Sequence, residues 1–256
     1  MPALTPLDQW ADMLEAVTAN SVHLNRVVVL AETDSTQDAC RRLGLEPGLV
    51  VATGRQKSGR GRLGRTWLDT EEHGVALSVV LDDPRGVLPL AAPIATAMAL
   101  ESFIDMPISL KWPNDVLVAA ASETSSVGRK LAGILIERTS EVAIVGIGIN
   151  VGQSTWPEPV AQRAISLRQM GYEVDRISVC QRLLIELDQQ LDASLGSLRE
   201  QWGNRDALRG QQVTVTSGKQ QHQGIVEATD PTGTLRLISD GRVLELESAT
   251  ATIASI

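Results

Sequence analysis

LAGILIERTSEVAIVGIGINV, residues 131–151, carries two apolar runs, 131–137 and 142–151, both rich in Ile, Leu and Val and both read as strands. Gly146 and Gly148 interrupt the second. Glycine weakens a strand, so its presence there points to another backbone or a ligand coming close. Working outward, GVALSVVL (74–81) is a further strand and the Ala-rich LPLAAPIATAMALESFI (88–104) a buried helix that stops before Pro107. ISLKWPNDVLV (108–118) reads as two short strands broken at Pro113, because the residue before a proline avoids the helical region. AAASETSSVGR (119–129) is small and polar without a period, which predicts a loop or hairpin tip.

Upstream, VVVLAET (27–33) and LVVAT (49–53) are strands flanking a helix that begins after Asp34, Ser35 and Thr36. Ser35 or Thr36 is expected to cap its first amides. Residues 6–19 place Leu7, Trp10, Met13, Leu14 and Val17 at helical spacing. Downstream, Val179, Leu183, Leu184, Leu187 and Leu191 mark a helix over 177–195, and 198–208 continue as a second. From Gly210 short alternating runs separated by DPTG and SDGR predict about five strands, the pattern of a small barrel. A boundary is placed at 208–210.

Composition bounds what the chain does. Its 256 residues are 43% hydrophobic but only 3% aromatic, so the core is built mainly from Leu, Val, Ile and Ala. A formal net charge of −8 argues against a surface that attracts nucleic acid or anionic lipid as a whole. Cys40 and Cys180 lie far apart without metal-ligand spacing, as expected of unpaired thiols in a reducing compartment. No run approaches a membrane span, and the N-terminus lacks a signal pattern, so the expectation is a cytoplasmic protein.

Against that acidic background GRQKSGRGRLGRTW (54–67) gathers Arg55, Lys57, Arg60, Arg62 and Arg65 around Gly54, Gly59, Gly61 and Gly64. Glycine lets amides turn toward an anion, and arginine offers forked donors matched to phosphate or carboxylate. The stretch is neither a Walker loop nor a dinucleotide-binding turn. Phosphate binding, a solvated charged loop and an RNA-binding Gly-Arg segment all stay open from this pattern. Ordering a residue costs about 1–2 kcal/mol, and self-repelling cations have little apolar area to offset that. The loop is therefore expected to be mobile until an anionic ligand orders it. KWPND (111–115) places Lys111, Asn114 and Asp115 at a strand end, with Trp112 turned to the core. Lys130 enters an otherwise apolar strand, where its counter-charge is either a ligand anion or solvent reached by snorkelling. Asn150, ending GIGIN, is either a turn residue or a ligand contact.

Taken in order, DST, GRGRxGRxW, KWPND, GRKLAGILIE and GIGINV resemble the catalytic module of biotin protein ligases, strongly over residues 28–152 and more loosely to the end. The resemblance implies an α+β fold, with a mixed-sheet catalytic domain of the biotin/lipoate ligase type over 1–208 and a small SH3-like β-barrel over 209–256. It implies an enzyme that adenylates biotin with ATP, Mg2+ assisting and pyrophosphate leaving, then passes biotin to a lysine of a biotin carboxyl carrier protein domain.

By that resemblance Ser35, Thr36, Gln37 and Gln56 hold the biotin head, and Gly59, Arg60, Gly61 and Arg62 close over biotinyl and phosphate groups. Gly133 lies beside the ligand, and Lys130 meets the biotin carboxylate and α-phosphate. Arg65, Trp67, Lys111, Asn114 and Asn150 fall on the nucleotide side with Arg62 and Lys130. Lys130, Arg60 and Arg62 are the implied catalytic cations, and Asp115 is implied either as a metal ligand or as the group that receives the acceptor lysine. Only about 25 residues precede the first strand, fewer than the winged helix-turn-helix of repressor members needs, so no DNA partner and no membrane are expected; a homodimer is compatible with the resemblance. The interval from Asp115 to Lys130 exceeds the family's usual short hairpin. A lipoate or octanoate ligase of the same fold and a non-enzymatic RNA-binding module are the rival readings.

Overall fold

The protein is described by a computed structural model covering residues 4–69, 73–118 and 127–256. A first helix, α1 (Trp10–Thr18), precedes a strand, helix, strand unit of β1 (Arg26–Thr33), α2 (Thr36–Leu43) and β2 (Leu49–Gln56). Because a helix must cross between them, β1 and β2 pair in parallel. A short hairpin follows, β3 (Gly59–Arg60) and β4 (Thr66–Trp67), then β5 (Val75–Leu81) and α3 (Leu88–Glu101). After it come β6 (Ile108–Lys111), β7 (Asp115–Val118), β8 (Arg129–Arg138) and β9 (Ala143–Ile149).

These strands assemble a seven-stranded sheet in the order β1-β2-β5-β9-β8-β7-β6, antiparallel everywhere except at β1 and β2. Every residue of β5 is buried, as an unbroken apolar run requires when both faces are covered. On one face Ala39 and Cys40 of α2 pack against Leu49, Val51, Val80 and Ile144. On the other, Val50, Ala52, Leu77 and Val79 meet α3, an alanine-rich helix apolar all round and accordingly enclosed. The helix α4 (Arg176–Asp192) packs beside α3, with Leu183, Leu184 and Leu187 fully buried.

The last helix, α5 (Leu195–Gly203), leads into five antiparallel strands: β10 (Gln212–Ser217), β11 (Gln220–Thr229), β12 (Thr234–Ser239), β13 (Arg242–Glu247) and β14 (Ala251–Ser255). Their order is β13-β12-β11-β10-β14, so the final strand returns across the sheet to pair with its first. This second sheet is compatible with an SH3-like barrel. Its inward Val213, Val215, Val226, Leu235 and Leu237 join the same core as the large sheet. The Trp202 indole N–H donates to Thr229 Oγ1 at 2.9 Å, and that of Trp112 to the Asp230 carbonyl at 3.3 Å.

Several boundaries differ from the sequence expectation for local reasons. The second C-terminal helix starts at Leu195 instead of 198, because Ser194 Oγ accepts from the Ser197 amide at 3.2 Å and caps it there. The strand expected from 131 begins at Arg129, held by a main-chain pairing of Lys130 with Ala164. Most of the expected 119–129 loop falls outside the described residues. Among the described residues no helix is long and apolar enough to cross a membrane.

Candidate functional site

Three glycines on the central strands make the floor of the site. Gly133 and Gly148 stand opposite each other in the β8–β9 register. A Cβ on Gly148 would come within 2.4 Å of the Trp67 ring, and one on Gly133 within 2.8 Å of the Lys130 ammonium. At Gly146 a Cβ would meet the Gln37 carboxamide at 2.9 Å. The close approach expected at Gly146 and Gly148 is therefore made by side chains from outside the strands, which lie flat on the bare backbone. Above this floor opens a cavity of about 750 Å³, walled by the β3–β4 hairpin, the start of α2, residues of 156–164 and β14.

At one end Ser35, Thr36 and Gln37 are buried, at 2%, 3% and 4% exposure. Ser35 occupies the N-cap of α2 but makes no side-chain cap bond. The cap comes from elsewhere, which corrects the sequence expectation: the Thr36 amide donates to Gln56 Oε1 at 2.9 Å. Strand β2 carries Gln56 to that point, and the hydroxyl of Thr36 bonds Gln56 at 3.2 Å and Ser78 at 2.7 Å. Gln37 Nε2 donates to the carbonyls of Leu135 and Ile144 at 3.2 and 3.4 Å. The result is a buried polar nest in an apolar wall.

At the other end the cations gather. Lys130 finds its counter-charge neither in solvent nor only in a ligand: its ammonium lies 2.6 Å from Asp115 Oδ1 and 5.4 Å from the Trp67 ring centroid. Lys111 closes β6 directly opposite Asp115, which opens β7. Burial pushes the Lys111 ammonium below the ordinary lysine value of 10.5; Asp115 opposes that, while Lys130, Arg163 and Arg65 add to it. Burial likewise lowers Arg62, partly offset by Asp115. The guanidinium of Arg62 donates to the carbonyl of Ser248, tying the hairpin to the turn before β14. Among the described lining residues Asp115 is the one acidic side chain, facing Arg60, Arg62, Arg65, Lys111, Lys130 and Arg163.

The basic stretch is less self-repelling than its sequence implies. Arg60 donates to both Asp38 oxygens at 2.8 Å and to Glu137 at 3.1 Å. Although burial works against its charge, these acids hold the Arg60 guanidinium still more firmly protonated than an ordinary arginine. Glu32 pairs with Arg55 at 3.4 Å and with Lys57, whose hydrogen bond holds its carboxyl below the usual range. Acids of β1, α2 and β8, distant in sequence, thus neutralise much of the hairpin's charge.

The two asparagines serve the scaffold. Asn114 Nδ2 donates to the Ile134 carbonyl at 2.7 Å. Asn150 Nδ2 donates to the carbonyls of Lys130 and Ile165, both at 3.1 Å, and its buried Oδ1 has no hydrogen-bond partner among the described residues. All the sequence-derived site residues line this one cavity except Gly59, whose absent Cβ admits the Gln56 amide. The sequence reading missed Arg163, Trp156 and the strand β14, all of which contribute to the wall. Arg163 lies in a segment with no periodic signal, and β14 comes from the far end of the chain. Among the described residues no three His, Cys, Asp or Glu side chains gather to hold a metal.

A mixed sheet with a glycine floor, a buried polar nest at one end and a cation-rich cleft at the other defines an α+β protein with a single two-ended site. The family model for the biotin/lipoate A/B protein ligase family matches residues 29–154. A biotin–[acetyl-CoA-carboxylase] ligase of Mycobacterium tuberculosis is 33% identical over 265 residues, covering 93% of this chain and 92% of its own. The bifunctional ligase/repressor BirA of Bacillus subtilis is 34% identical over 176 residues, 64% of this chain. This chain spans only 52% of that Bacillus protein's length. The biotin protein ligase from Aquifex aeolicus in complex with biotin and ATP superposes with a TM-score of 0.78 at 29% identity, covering 90% of this chain and 99% of that one. The chain belongs to the biotin/lipoate A/B protein ligase family.

Proposed function

We propose that the protein is an ATP-dependent biotin protein ligase. It joins biotin to ATP as biotinyl-5'-AMP, releases pyrophosphate, and transfers biotin to a lysine of a biotin carboxyl carrier protein domain. The observation that carries this reading is the placing of Lys130 and Trp67 side by side over Gly133 and Gly148, between a buried polar nest and a cluster of cations.

The chemistry explains the charge. A carboxylate must approach a polyanion, and two unit charges about 4 Å apart repel by roughly 4 kcal/mol at an effective dielectric of 20. In the first step a carboxylate oxygen attacks the α-phosphorus, the bond from that phosphorus to the bridging oxygen breaks, and pyrophosphate leaves with the electron pair. Lys130, Arg60 and Arg62 act as preorganised positive charge for that transition state. In the second step a lysine amine attacks the anhydride carbonyl and AMP departs. Ser35, Thr36, Gln37 and Gln56 hold the ureido ring, whose paired N–H and C=O groups suit their buried donors and acceptors. Gly59 and Gly61 let the hairpin close. The Trp67 indole packs against adenine. Arg65, Lys111, Asn114 and Asn150 line the nucleotide side, where the orphan Asn150 Oδ1 is an acceptor awaiting a donor.

Magnesium ordinarily takes one or two carboxylates and completes its shell with phosphate oxygens and water. Asp115 supplies one carboxylate at the cavity, a donor set that fits an ion carried in on the nucleotide and not a protein-made cage. Bound there, Mg2+ would supply further neutralisation of the phosphates. A cytoplasmic setting, where ATP is plentiful, follows from the same reading. The test is release of pyrophosphate from ATP, measured with biotin and then with lipoate or octanoate in its place. Release dependent on biotin alone is the expected result; release supported only by the lipoyl or octanoyl acid would overturn it.

A further inference from the structure

Of the six cations that line the cavity among the described residues, three are engaged: Arg60 by Asp38 and Glu137, Arg62 by Ser248, and Lys130 by Asp115. For Arg65, Lys111 and Arg163 no ion pair or side-chain hydrogen bond to a described residue is present. All three line the same cavity, and there Arg163 and Arg65 both disfavour the charge of the half-buried Lys111. Cations that outnumber the single carboxylate lining their cavity among the described residues are poised for a polyanion.

Arg163 is exposed, yet its main chain is firmly held. The Lys130 amide donates to the Arg163 carbonyl at 2.7 Å, and the Ile165 amide donates to the Lys130 carbonyl at 3.0 Å. Asn150 Nδ2 bridges the Lys130 and Ile165 carbonyls, and Arg129 Nη2 donates to those of Ala161 and Ala164 at 2.9 and 2.5 Å. The segment is thereby fastened to the start of β8, in parallel pairing of Lys130 with Ala164. Half-buried Arg129 and buried Asn150 thus act as scaffolding that fixes where the Arg163 main chain stands relative to Lys130.

We infer that Arg163, together with Lys111 and Arg65, forms the subsite for the β- and γ-phosphates of ATP and for the pyrophosphate they become. This rests on the adenylating reading above, in which Lys130 and Trp67 take the biotinyl carboxylate, α-phosphate and adenine. The leaving group then falls to the cations that have no ion-pair partner among the described residues. A guanidinium presents a fork to two phosphate oxygens at once, which suits a pyrophosphate.

Biotin-dependent exchange of labelled inorganic pyrophosphate into ATP tests it. Arg163→Ala should raise the KM for pyrophosphate and for ATP by about ten- to a hundredfold, the range for losing a charge-assisted hydrogen bond. Biotin affinity and biotin transfer from preformed biotinyl-AMP should stay at wild-type levels, and Arg163→Lys should recover part of the loss. The main-chain bonds survive both changes, so a fold defect would show instead as weakened biotin binding. Wild-type exchange with an unchanged pyrophosphate KM in Arg163→Ala overturns the subsite. A loss confined to the transfer step also overturns it, moving Arg163 to acceptor docking. Absence of exchange in the wild-type protein would sink the adenylating reading itself, and the subsite with it.

Discussion

Lys130 carries its charge between an indole and a carboxylate, 5.4 Å from one and 2.6 Å from the other. An ammonium so placed is oriented before any substrate arrives, the condition under which a single donor counts most in a transition state. Lys130→Ala should lower biotin-dependent pyrophosphate release by roughly 10²–10³, taking removal of one preorganised donor as the guide. A rate near wild type would remove Lys130 from the chemistry. Lys111 makes a pH prediction. Its ammonium gives up the proton below 10.5 because burial disfavours the charge. Nucleotide affinity should be complete at neutral pH and fall as pH rises through that lowered value. The unfolded chain keeps the same proton to higher pH, so over that window Lys111 makes stability rise with pH. Lys111→Arg, whose cation does not titrate there, should abolish the alkaline fall in ATP affinity; a KM profile that keeps it would assign the fall to another group.

The β3–β4 hairpin has only two residues in each strand and exposes Leu63, so apolar burial contributes little to it. What holds it is charge: Asp38 and Glu137 at Arg60, and the Ser248 carbonyl at Arg62, with Glu32 holding Arg55 and Lys57 in the approach to it. Exposed ion pairs are individually worth about 0–1 kcal/mol and weaken with salt. An anion in the cavity adds a partner for the cations that lack an ion pair among the described residues. Amide exchange across 54–67 should accordingly slow when biotinyl-AMP binds, and unchanged exchange would refute ligand ordering. Arg62→Ala removes the link to the C-terminal sheet and a cation at once. Biotinyl-AMP should then dissociate faster by an amount equivalent to about 1.5–3 kcal/mol, read directly as an off-rate.

Across the whole molecule the two sheets share one core, and α5 is the joint between them. Trp202 is 1% exposed and bonds Thr229 on β11, while Leu110 of β6 pairs in the main chain with Arg205 and Ala207. Trp202→Ala should destabilise the protein by about 3–5 kcal/mol through the cavity it leaves, measured by denaturant unfolding. A smaller loss with two separate transitions would show that the sheets unfold independently. Cys40 and Cys180 are buried, and burial pushes both thiols up to about 12. They are therefore inert in the folded chain, and their role is to pack α2 and α4, on which they lie, into the core.

Runs of Ile, Val and Leu, an alanine-rich helix and punctuation by Gly and Pro were enough to read off most strands and helices, because local patterning is set by which faces must be buried. The ordered set of DST, the arginine loop, KWPND, Lys130 and GIGIN was equally legible, since a short contiguous motif carries its own chemistry. Partners were not. That Lys130 would be answered by Asp115, Arg60 by Asp38 and Glu137, and the Thr36 amide by Gln56 depends on which strands lie side by side. So does the placing of Arg163 and Lys111 on one cavity, and that of β14 on its wall. Charge pairing acts through space over a few ångströms, whereas sequence separation there runs from about fifteen to nearly two hundred residues. Composition and motif determined what groups the site contains; only the folded sheet decided which of them meet and which are left for a ligand.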